Sequence, residues 1–499
     1  MNNKLIELAK RRGLFWPSFE IYGGMSGFID FGPIGIKIID KIEKLWRSHF
    51  EKRHDFIFEI STPIVMPEII LKASGHVEHF TDVVLTCSKC GRKYRVDHII
   101  EVEGVEGWSM EEIERYLKEK GMKCPECNGE FEKPYKFNLL MKTNIGPYAG
   151  DIGYLRPEAA QGIFINFRRL YELNGKKLPF GVFQIGKVQR NEISPRKGLY
   201  RMREFTIIDL EFFYDKENPS CPYIKEIENE KLRILRAENK NNVLELSIRE
   251  LIRNEIVLTE WLAYFMYLSK EFIRSVGIDY NKQYFLEKAP EERAHYSSQT
   301  FDHMVITSDN TPIEVAGFAF RTDYDLRNHS EKSGNQLVAE KVEGGKVIEK
   351  FYPYVVEPSF GIERIFLVAI DAAFKEIKNR TILALPKVIS PFDAAIATIA
   401  AKDELMKVAK EIYKSLKEKS LDVILDTSEY IGKVYARADE IGIPYVITVD
   451  YQSLEDKKVT IRDRDTWKQI RVNISELDII KALIKNEIEF EKAGEIFKN

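Results

Sequence analysis

Apolar and polar residues alternate along this chain in two styles, and the change between them falls near residue 390. In the first style, PIGIKIIDKIEKLWRSHFEKR (33–53) places Ile36, Ile39, Ile42, Leu45, Trp46 and Phe50 on one helical stripe opposite a charged face, which predicts a long amphipathic helix. FIFEISTPIVMP follows at once, rich in strand formers. Its Pro63 suits an edge strand or a seam between subunits, because it has no N–H to give a central ladder. From 153 to 215, and again at 311–326 and 351–361, β-branched and aromatic residues broken by polar turns predict a largely antiparallel sheet. Roughly 225–300, including SIRELIRNEIVLTEWLAYFMYLSKEFIRSVG, reads as a helical insertion whose apolar residues pack a core.

In the second style strands and helices alternate through FDAAIATIA, KDELMKVAKEIYKSLKEK, LDVILDT, IGKVYARADEIG and PYVITVD. This predicts a separate α/β domain that begins between Pro386 and Pro391. Its last segments, KKVTIRDRDTWKQIRVNI and SELDIIKALIKNEIEFEKA, read as a hairpin and then a helix opened by a Ser475-to-Asp478 capping arrangement. The fold class is α+β: an antiparallel sheet flanked by helices, joined to a C-terminal α/β domain.

Composition adds little. A chain of 499 residues exceeds what one core holds, so two or three domains are expected. Hydrophobic residues at 44% and charged residues at 31% describe a globular chain and exclude a disordered one. The N-terminus lacks an apolar run of signal-peptide length, and no later stretch approaches the roughly 20 apolar residues of a membrane span. A cytoplasmic protein without membrane association is the expectation. The net charge of -3 excludes no partner, nucleic acid included, since a basic patch can sit on a near-neutral body.

Five cysteines are too few for a disulfide scaffold, and four of them form two C-x2-C pairs, Cys87/Cys90 and Cys124/Cys127. Two such pairs supply the four thiolates of a tetrahedral structural zinc site, with Gly91 and Pro125 as turn residues; chance pairing is the alternative. The long spacer predicts a helix, SMEEIERYLKEKG, between the pairs, and Cys221 reads as inert.

The densest chemistry lies in QIGKVQRNEISPRKGLYRMREFTIIDLEFF (184–213), where Arg190, Arg196, Arg201 and Arg203, with Lys187 and Lys197, meet Glu192, Glu204, Asp209 and Glu211 on a strand–turn–strand pattern. Alternate residues on a strand share a face, so Arg190 and Glu192 aim at one site. A guanidinium there can grip phosphate oxygens while the carboxylate accepts from an amine or a base edge. Charges alone leave a salt-bridged surface hairpin equally open.

This hairpin resembles motif 2 of class II aminoacyl-tRNA synthetases in the form, RNEISPR then RMREF, of the glycine enzymes. The helix and Pro63 look like motif 1, the dimer-forming element, and EPSFGIERIFLVAI (357–370) looks like motif 3. The three stand in the family's order, and the resemblance spans nearly the whole chain. It implies that Arg190 contacts the ATP α-phosphate, Asn191 and Glu192 seat the adenine, and Phe205 stacks on it. Arg201 and Arg203 would line the triphosphate side, Tyr200 would be a further ATP-binding residue, Arg364 would grip the nucleotide, and the loop from Ser194 to Tyr200 would face the tRNA acceptor end. EVAGFAFRTDYDL resembles the strand whose Glu314, followed by Val315, lies at the nucleotide and its magnesium.

For the amino acid, LRPEAAQGIFINFRRL is similar to the family segment carrying an ammonium-binding glutamate, here Glu158; Glu357 and Ser359, with Gly361 beside them, would complete that site. Asp209 stands where relatives carry glutamate and would face the substrate with Phe205, and Arg95 in YRVDHII matches a position proposed for the substrate carboxylate. The C-terminal unit resembles the anticodon-binding domain of the glycine, histidine, threonine and proline enzymes, with Arg437, Arg462, Arg464, Trp467 and Arg471 as candidates for base contacts.

The division implied is a catalytic domain beginning at 1–86, a zinc-binding insertion at 87–135, the rest of the catalytic domain at 136–388, and the anticodon-binding domain at 389–499. The function implied is ATP-dependent attachment of glycine to tRNA(Gly) through a glycyl-adenylate, by a homodimer using magnesium with ATP. No protein nucleophile is needed, because the glycine carboxylate attacks the α-phosphorus itself. The alternatives are a catalytically silent paralogue that binds tRNA or regulates, and an enzyme for another small amino acid. Arg190 and Arg364 argue against the first, and the RPEAAQ and EPS strings against the second.

Overall fold

The computed structural model describes residues 2–497 apart from 103, 148, 149, 194, 196, 197, 379, 428 and 429, and excepting the side chains of 106 and 241. Helix α1 (Asn3–Arg11) leads to α2 (Pro33–His49), the amphipathic helix expected, with Pro33 pre-set at its first turn. Its buried stripe is Gly35, Ile38, Ile39, Ile42 and Trp46, whereas Ile36 is 53% exposed. The reason is local: a side-chain carbon at Gly35 would lie 2.0 Å from the Leu14 carbonyl oxygen, so the helix presses that edge inward and turns Ile36 out.

The main sheet runs β1 (Ile57–Glu59), β2 (Phe180–Gln189), β3 (Glu204–Tyr214), β4 (Lys231–Arg236), β5 (Asn239–Ser247), β6 (Gln283–Glu287), β7 (Gln299–Ile306), β8 (Pro312–Thr322) and β9 (Tyr354–Gly361). Their spatial order is β5-β4-β6-β7-β8-β9-β3-β2-β1, antiparallel except for the β1–β2 and β4–β6 pairs. The motif 2 hairpin is β2–β3, paired over its full length from Phe180↔Phe213 to Gln189↔Glu204. β1 sits at the sheet edge, and Pro63 follows it outside any strand.

Two stretches differ from the sequence expectation. Residues 160–173, read as strand, form helices Ala160–Phe164 and Phe167–Leu173, because Ala160, Ile163, Phe164, Phe167, Leu170 and Tyr171 repeat at helical spacing and are all buried. Of 225–300, mainly 248–253 and 260–275 are helical. The flanks instead supply β4, β5 and β6, since KLRILR alternates buried and more exposed positions and so pairs into the sheet edge.

Strand alternation sorts the sheet into two faces. On one, Phe183, Leu210, Phe212 and Phe360 pack under α2 and helix α3 (Glu260–Ser275), with Trp46 centred 4.6 Å from Phe50 and 4.8 Å from Phe183, and Trp261 4.3 Å from Phe212. Fully burying each ring contributes roughly 1.5–3 kcal/mol. The other face carries the in-between residues: Gln184, Asp209, Glu211, Glu357 and Ser359. Helices α4 (Tyr324–Ser333) and α5 (Ile362–Ala373) follow β8 and β9 directly.

The cysteine-bearing unit has its own sheet, Thr81–Thr86 between Lys93–Arg95 and Tyr135–Asn138, and the expected helix, Met110–Glu119, opened by a Ser109/Glu112 capping box. The C-terminal unit alternates as expected: β10 (Ala394–Thr398), α6 (Asp403–Glu418), β11 (Val423–Leu425), α7 (Ile431–Ile441), β12 (Tyr445–Val449), β13 (Lys458–Asp463) and β14 (Gln469–Asn473), with β11-β10-β12 parallel. The Ser475-to-Asp478 cap is not formed. Asn473 accepts from the Ser475 N–H, a short 3-10 turn intervenes, and the helix is only Ile479–Ile484.

Candidate active site

The polar face of the sheet opens as a cleft of about 250 Å3. Its depth is acidic. Asp209 on β3 lies opposite Ser359 on β9 and accepts at 2.6 Å from both the Ser359 hydroxyl and the Ala159 N–H. Glu357, two residues back on β9, faces Ala319 of β8. Glu158 enters from the loop before the Ala160 helix, accepting from Gln161 at 2.8 Å and lying 3.3 Å from His76 Nε2.

One cation organises these groups. Arg321, at the end of β8 and without exposed surface, donates to both oxygens of Glu357 at 3.0 and 2.9 Å and to both of Asp325 at 2.8 and 2.9 Å. It also stands 3.6 Å from Glu158 and 3.6 Å above the Tyr296 ring. Burial would raise the Glu158 carboxyl, but His76 and Arg321 outweigh it and hold that group well below the usual carboxylate range. Burial raises Asp209 and pushes Glu357 up to about 8 despite Arg321, because further carboxylates crowd the same low-dielectric space.

Toward the cleft mouth, the Arg190 guanidinium lies between the Phe80 and Phe205 rings, 5.5 and 5.3 Å from their centres, anchored to the Pro157 carbonyl. Glu192 pairs with Arg201 at 3.1 Å. On the opposite wall Arg364, in the first turn of α5, pairs with Glu314 at 3.0 Å and donates to the Glu314 and Tyr200 carbonyls. Asp302 of β7 lines the same wall; burial, with Glu314 beside it, pushes it up to about 7 against the pull of Lys288.

The structure thus brings Glu158, Arg190, Glu192, Tyr200, Arg201 and Phe205 to one cleft with Asp209, Glu314, Val315, Glu357, Ser359, Gly361 and Arg364. It does not bring three others. Arg95 sits in the cysteine-bearing unit, where Asp82 and Asp97 each hold it at 2.8 Å. Arg203 donates to the Glu192 and Ser26 carbonyls and so braces the hairpin instead of lining the cleft. Asn191 lies outside the lining, its N–H bonded to Leu139. Ser194, Arg196 and Lys197 of the hairpin loop lie outside the described residues.

The base-contact candidates of the C-terminal unit are mostly inward-facing. Arg462 pairs with Asp439, Arg471 with Asp450 and Asp456, and Arg464 with two carbonyls and Asp465; all three are buried. Arg437 pairs with Asp426, and Trp467 is half-buried under Arg380. Sequence reasoning missed Arg321, His76, Gln161, Tyr296 and Asp325. A usable signal was the arginine ending a buried strand with an aspartate four residues on, FRTDYD.

The four cysteine thiols lie within 4.8 Å of one another, Cys87–Cys127 at 3.5 Å and Cys90–Cys124 at 3.8 Å. A metal–sulfur tetrahedron with bonds of about 2.3 Å has an edge of about 3.8 Å, so this cluster can hold a metal ion. Gly129 belongs to the cradle, since a side-chain carbon there would come within 2.9 Å of the Cys87 sulfur.

Residues 149–373 match the tRNA synthetase class II core domain (G, H, P, S and T), and 393–484 match an anticodon binding domain. The prolyl-tRNA synthetase of Giardia lamblia, solved with prolyl-adenylate, shares the fold at a TM-score of 0.59 and 16% identity, over 97% of this chain and 80% of that one. Sheet, cleft and these matches define a class II aminoacyl-tRNA synthetase. Among curated relatives, the glycine–tRNA ligases of Aeropyrum pernix (40% identical, 98% of each chain), Pyrococcus horikoshii (40%, 95% and 96%) and Methanocaldococcus jannaschii (38%, 97% and 99%) match nearly end to end. The chain belongs to the glycine–tRNA ligase family.

Removing Arg321 strands buried carboxylates without their cation, which typically costs about 3–5 kcal/mol. Arg321→Ala should therefore lower the denaturation midpoint strongly and abolish substrate turnover; a change below about 1 kcal/mol would show that the cluster does not depend on this pair.

Proposed function

We propose that this protein couples glycine to tRNA(Gly) in two steps, forming glycyl-adenylate from glycine and ATP and then passing the glycyl group to the terminal ribose. The observation that carries this reading is the acidic depth of the cleft, Glu158, Asp209 and Glu357, next to a mouth with Arg190 and Arg364 on opposite walls. Glycine offers an ammonium, a carboxylate and no side chain. The carboxylates attract its ammonium, and the Ser359 hydroxyl orients Asp209 toward it. A pocket that merely lacks room for a methyl discriminates by only about 1–3 kcal/mol. Exclusion of alanine is assigned to rigidity: Arg321, locked to Glu357 and Asp325 over Tyr296, leaves the wall no freedom to retreat.

The glycine carboxylate attacks the α-phosphorus in line, and pyrophosphate leaves. Arg190 is placed to neutralise charge that accumulates on the α-phosphate oxygens, with Phe205 offering its ring to the adenine; Arg364 faces the leaving side. A ribose hydroxyl then attacks the adenylate carbonyl and AMP departs. Glu314 and Asp302, carboxylates on neighbouring strands at the nucleotide wall, fit a hard divalent cation, and magnesium there would shield the charge of the phosphates.

Zinc is the metal we assign to the four cysteines, as a structural ion. A homodimer is inferred from Phe58, Ile64, Val65 and Ile69, exposed apolar residues along the segment around Pro63. For the anticodon, Ile399, Tyr430 and Tyr451 follow the carboxyl ends of the parallel strands β10, β11 and β12 and are 46%, 73% and 54% exposed. Ligands of open α/β sheets bind at that end, and exposed rings suit unstacked bases. No described helix is long and apolar enough to cross a membrane; a cytoplasmic location remains our reading, checked by fractionating cells.

Pyrophosphate exchange should depend on glycine, and comparable exchange with alanine or serine would refute the specificity. Arg190→Ala should cut exchange by about 100- to 1,000-fold, whereas unchanged exchange would remove Arg190 from the reaction. Tyr430→Ala with Tyr451→Ala should raise the KM for tRNA and leave exchange intact; an unaltered KM contradicts the stacking role. Purified protein should contain about one zinc per chain and sediment at twice the chain mass, and metal-free or monomeric protein would overturn the corresponding assignment.

A further inference from the structure

Beneath the cleft lies a carboxylate with no assigned task. Glu211 is fully buried on β3, and among the described residues neither of its oxygens has a hydrogen-bond partner. Because Asp209 faces Ser359 and Phe212 faces Val356, the two-residue step places Glu211 directly opposite Glu357 on β9. On its other side β2 offers Val182 and, two pairs along, Gln184, neither of which titrates. The charged groups that bear on it are Glu357, Arg321 and Asp325 from the neighbouring elements and Asp209 from its own strand. Arg321 is already divided between Glu357 and Asp325. Two buried carboxylates facing each other strongly disfavour double ionisation when the guanidinium that bears on both is already divided with Asp325.

We propose that the Glu211–Glu357 pair holds a proton in the free enzyme and that the ammonium of glycine drives this proton into solvent when it binds. Glu211 is its seat, since Glu357 has the guanidinium and no described residue donates to Glu211. Burial and the facing Glu357 raise the Glu211 carboxyl well above its ordinary value, as this requires. The balance is simple: one cation enters the cluster, one proton leaves it, and no other bond changes. Glu211 is then a positioning residue whose charge appears only when glycine is present, so the empty site is spared an uncompensated buried anion.

The inference rests on the ammonium site proposed above, and the test separates the two. Glycine is titrated into the full-length protein by calorimetry in phosphate and in Tris near pH 7, buffers of very different ionisation enthalpy; the ammonium and carboxylate of glycine do not titrate there. The apparent heat should differ between buffers by the equivalent of close to one released proton, and glycine affinity should rise with pH, by up to about tenfold per unit. Glu211→Gln should bind glycine with no buffer dependence and a flat pH profile in the same range. Binding by the unaltered protein with buffer-independent heat, or proton release that survives in Glu211→Gln, overturns the proton exchange alone. Failure of glycine to bind overturns the ammonium site and with it this inference.

Discussion

A guanidinium with no exposed surface, set among carboxylates in a water-poor space, is the constraint on which the site depends. Arg321 pairs with Glu357 and Asp325 and neighbours Glu158, while Asp209 and Glu211 lie within the same field. In water such a set would disperse. Here strand pairing fixes Asp209, Glu211, Glu357 and Ser359 on facing backbones, so their mutual repulsion is relieved by hydrogen bonds and proton uptake instead of by movement. The result is a small acidic cavity, in which the carboxylates outnumber the guanidinium that organises them.

The sheet makes this arrangement possible by keeping its faces chemically separate. Aromatic packing among Trp46, Phe50, Phe183, Phe212 and Phe360 fixes one face, and the residues in between emerge on the other as a polar wall. Glu357 and Ser359 lie near the end of β9 and α5 begins at Ile362, so Arg364 stands in the first helical turn, three residues past Gly361. The β2–β3 hairpin projects Arg190 and Phe205 over the same floor. The side chains that line the cleft are thus carried by the β2–β3 hairpin, by β9 and by the helix that follows it.

Local strings were legible in the sequence; meanings set by register were not. RNEISPR, RPEAAQ and EPSFGIER carry their chemistry within a few residues, and Arg190, Glu158, Glu357 and Arg364 do share the cleft. Arg321 and Glu211 acquire their roles only from strands brought beside them by β8–β9 and β3–β9 pairing. Charge text is likewise silent about direction: Arg462 and Arg471 look like any basic strand residues until Asp439 and Asp450 face them from inside the domain. The string around Arg95 is equally silent about the pairing of its side chain with Asp82 and Asp97. The helices at 160–173 were hidden because aromatic residues at helical spacing also suit a strand.

The central claim, that glycine is selected through its ammonium by carboxylates locked around Arg321, is tested most directly by a crystal structure with a non-hydrolysable glycyl-adenylate analogue. The account predicts the ammonium within hydrogen-bonding distance of Glu158, Asp209 and Glu357, the adenine against Phe205, and Arg321 unmoved with its pairs intact. An ammonium held elsewhere, or an Arg321 that swings away to admit the ligand, would contradict it.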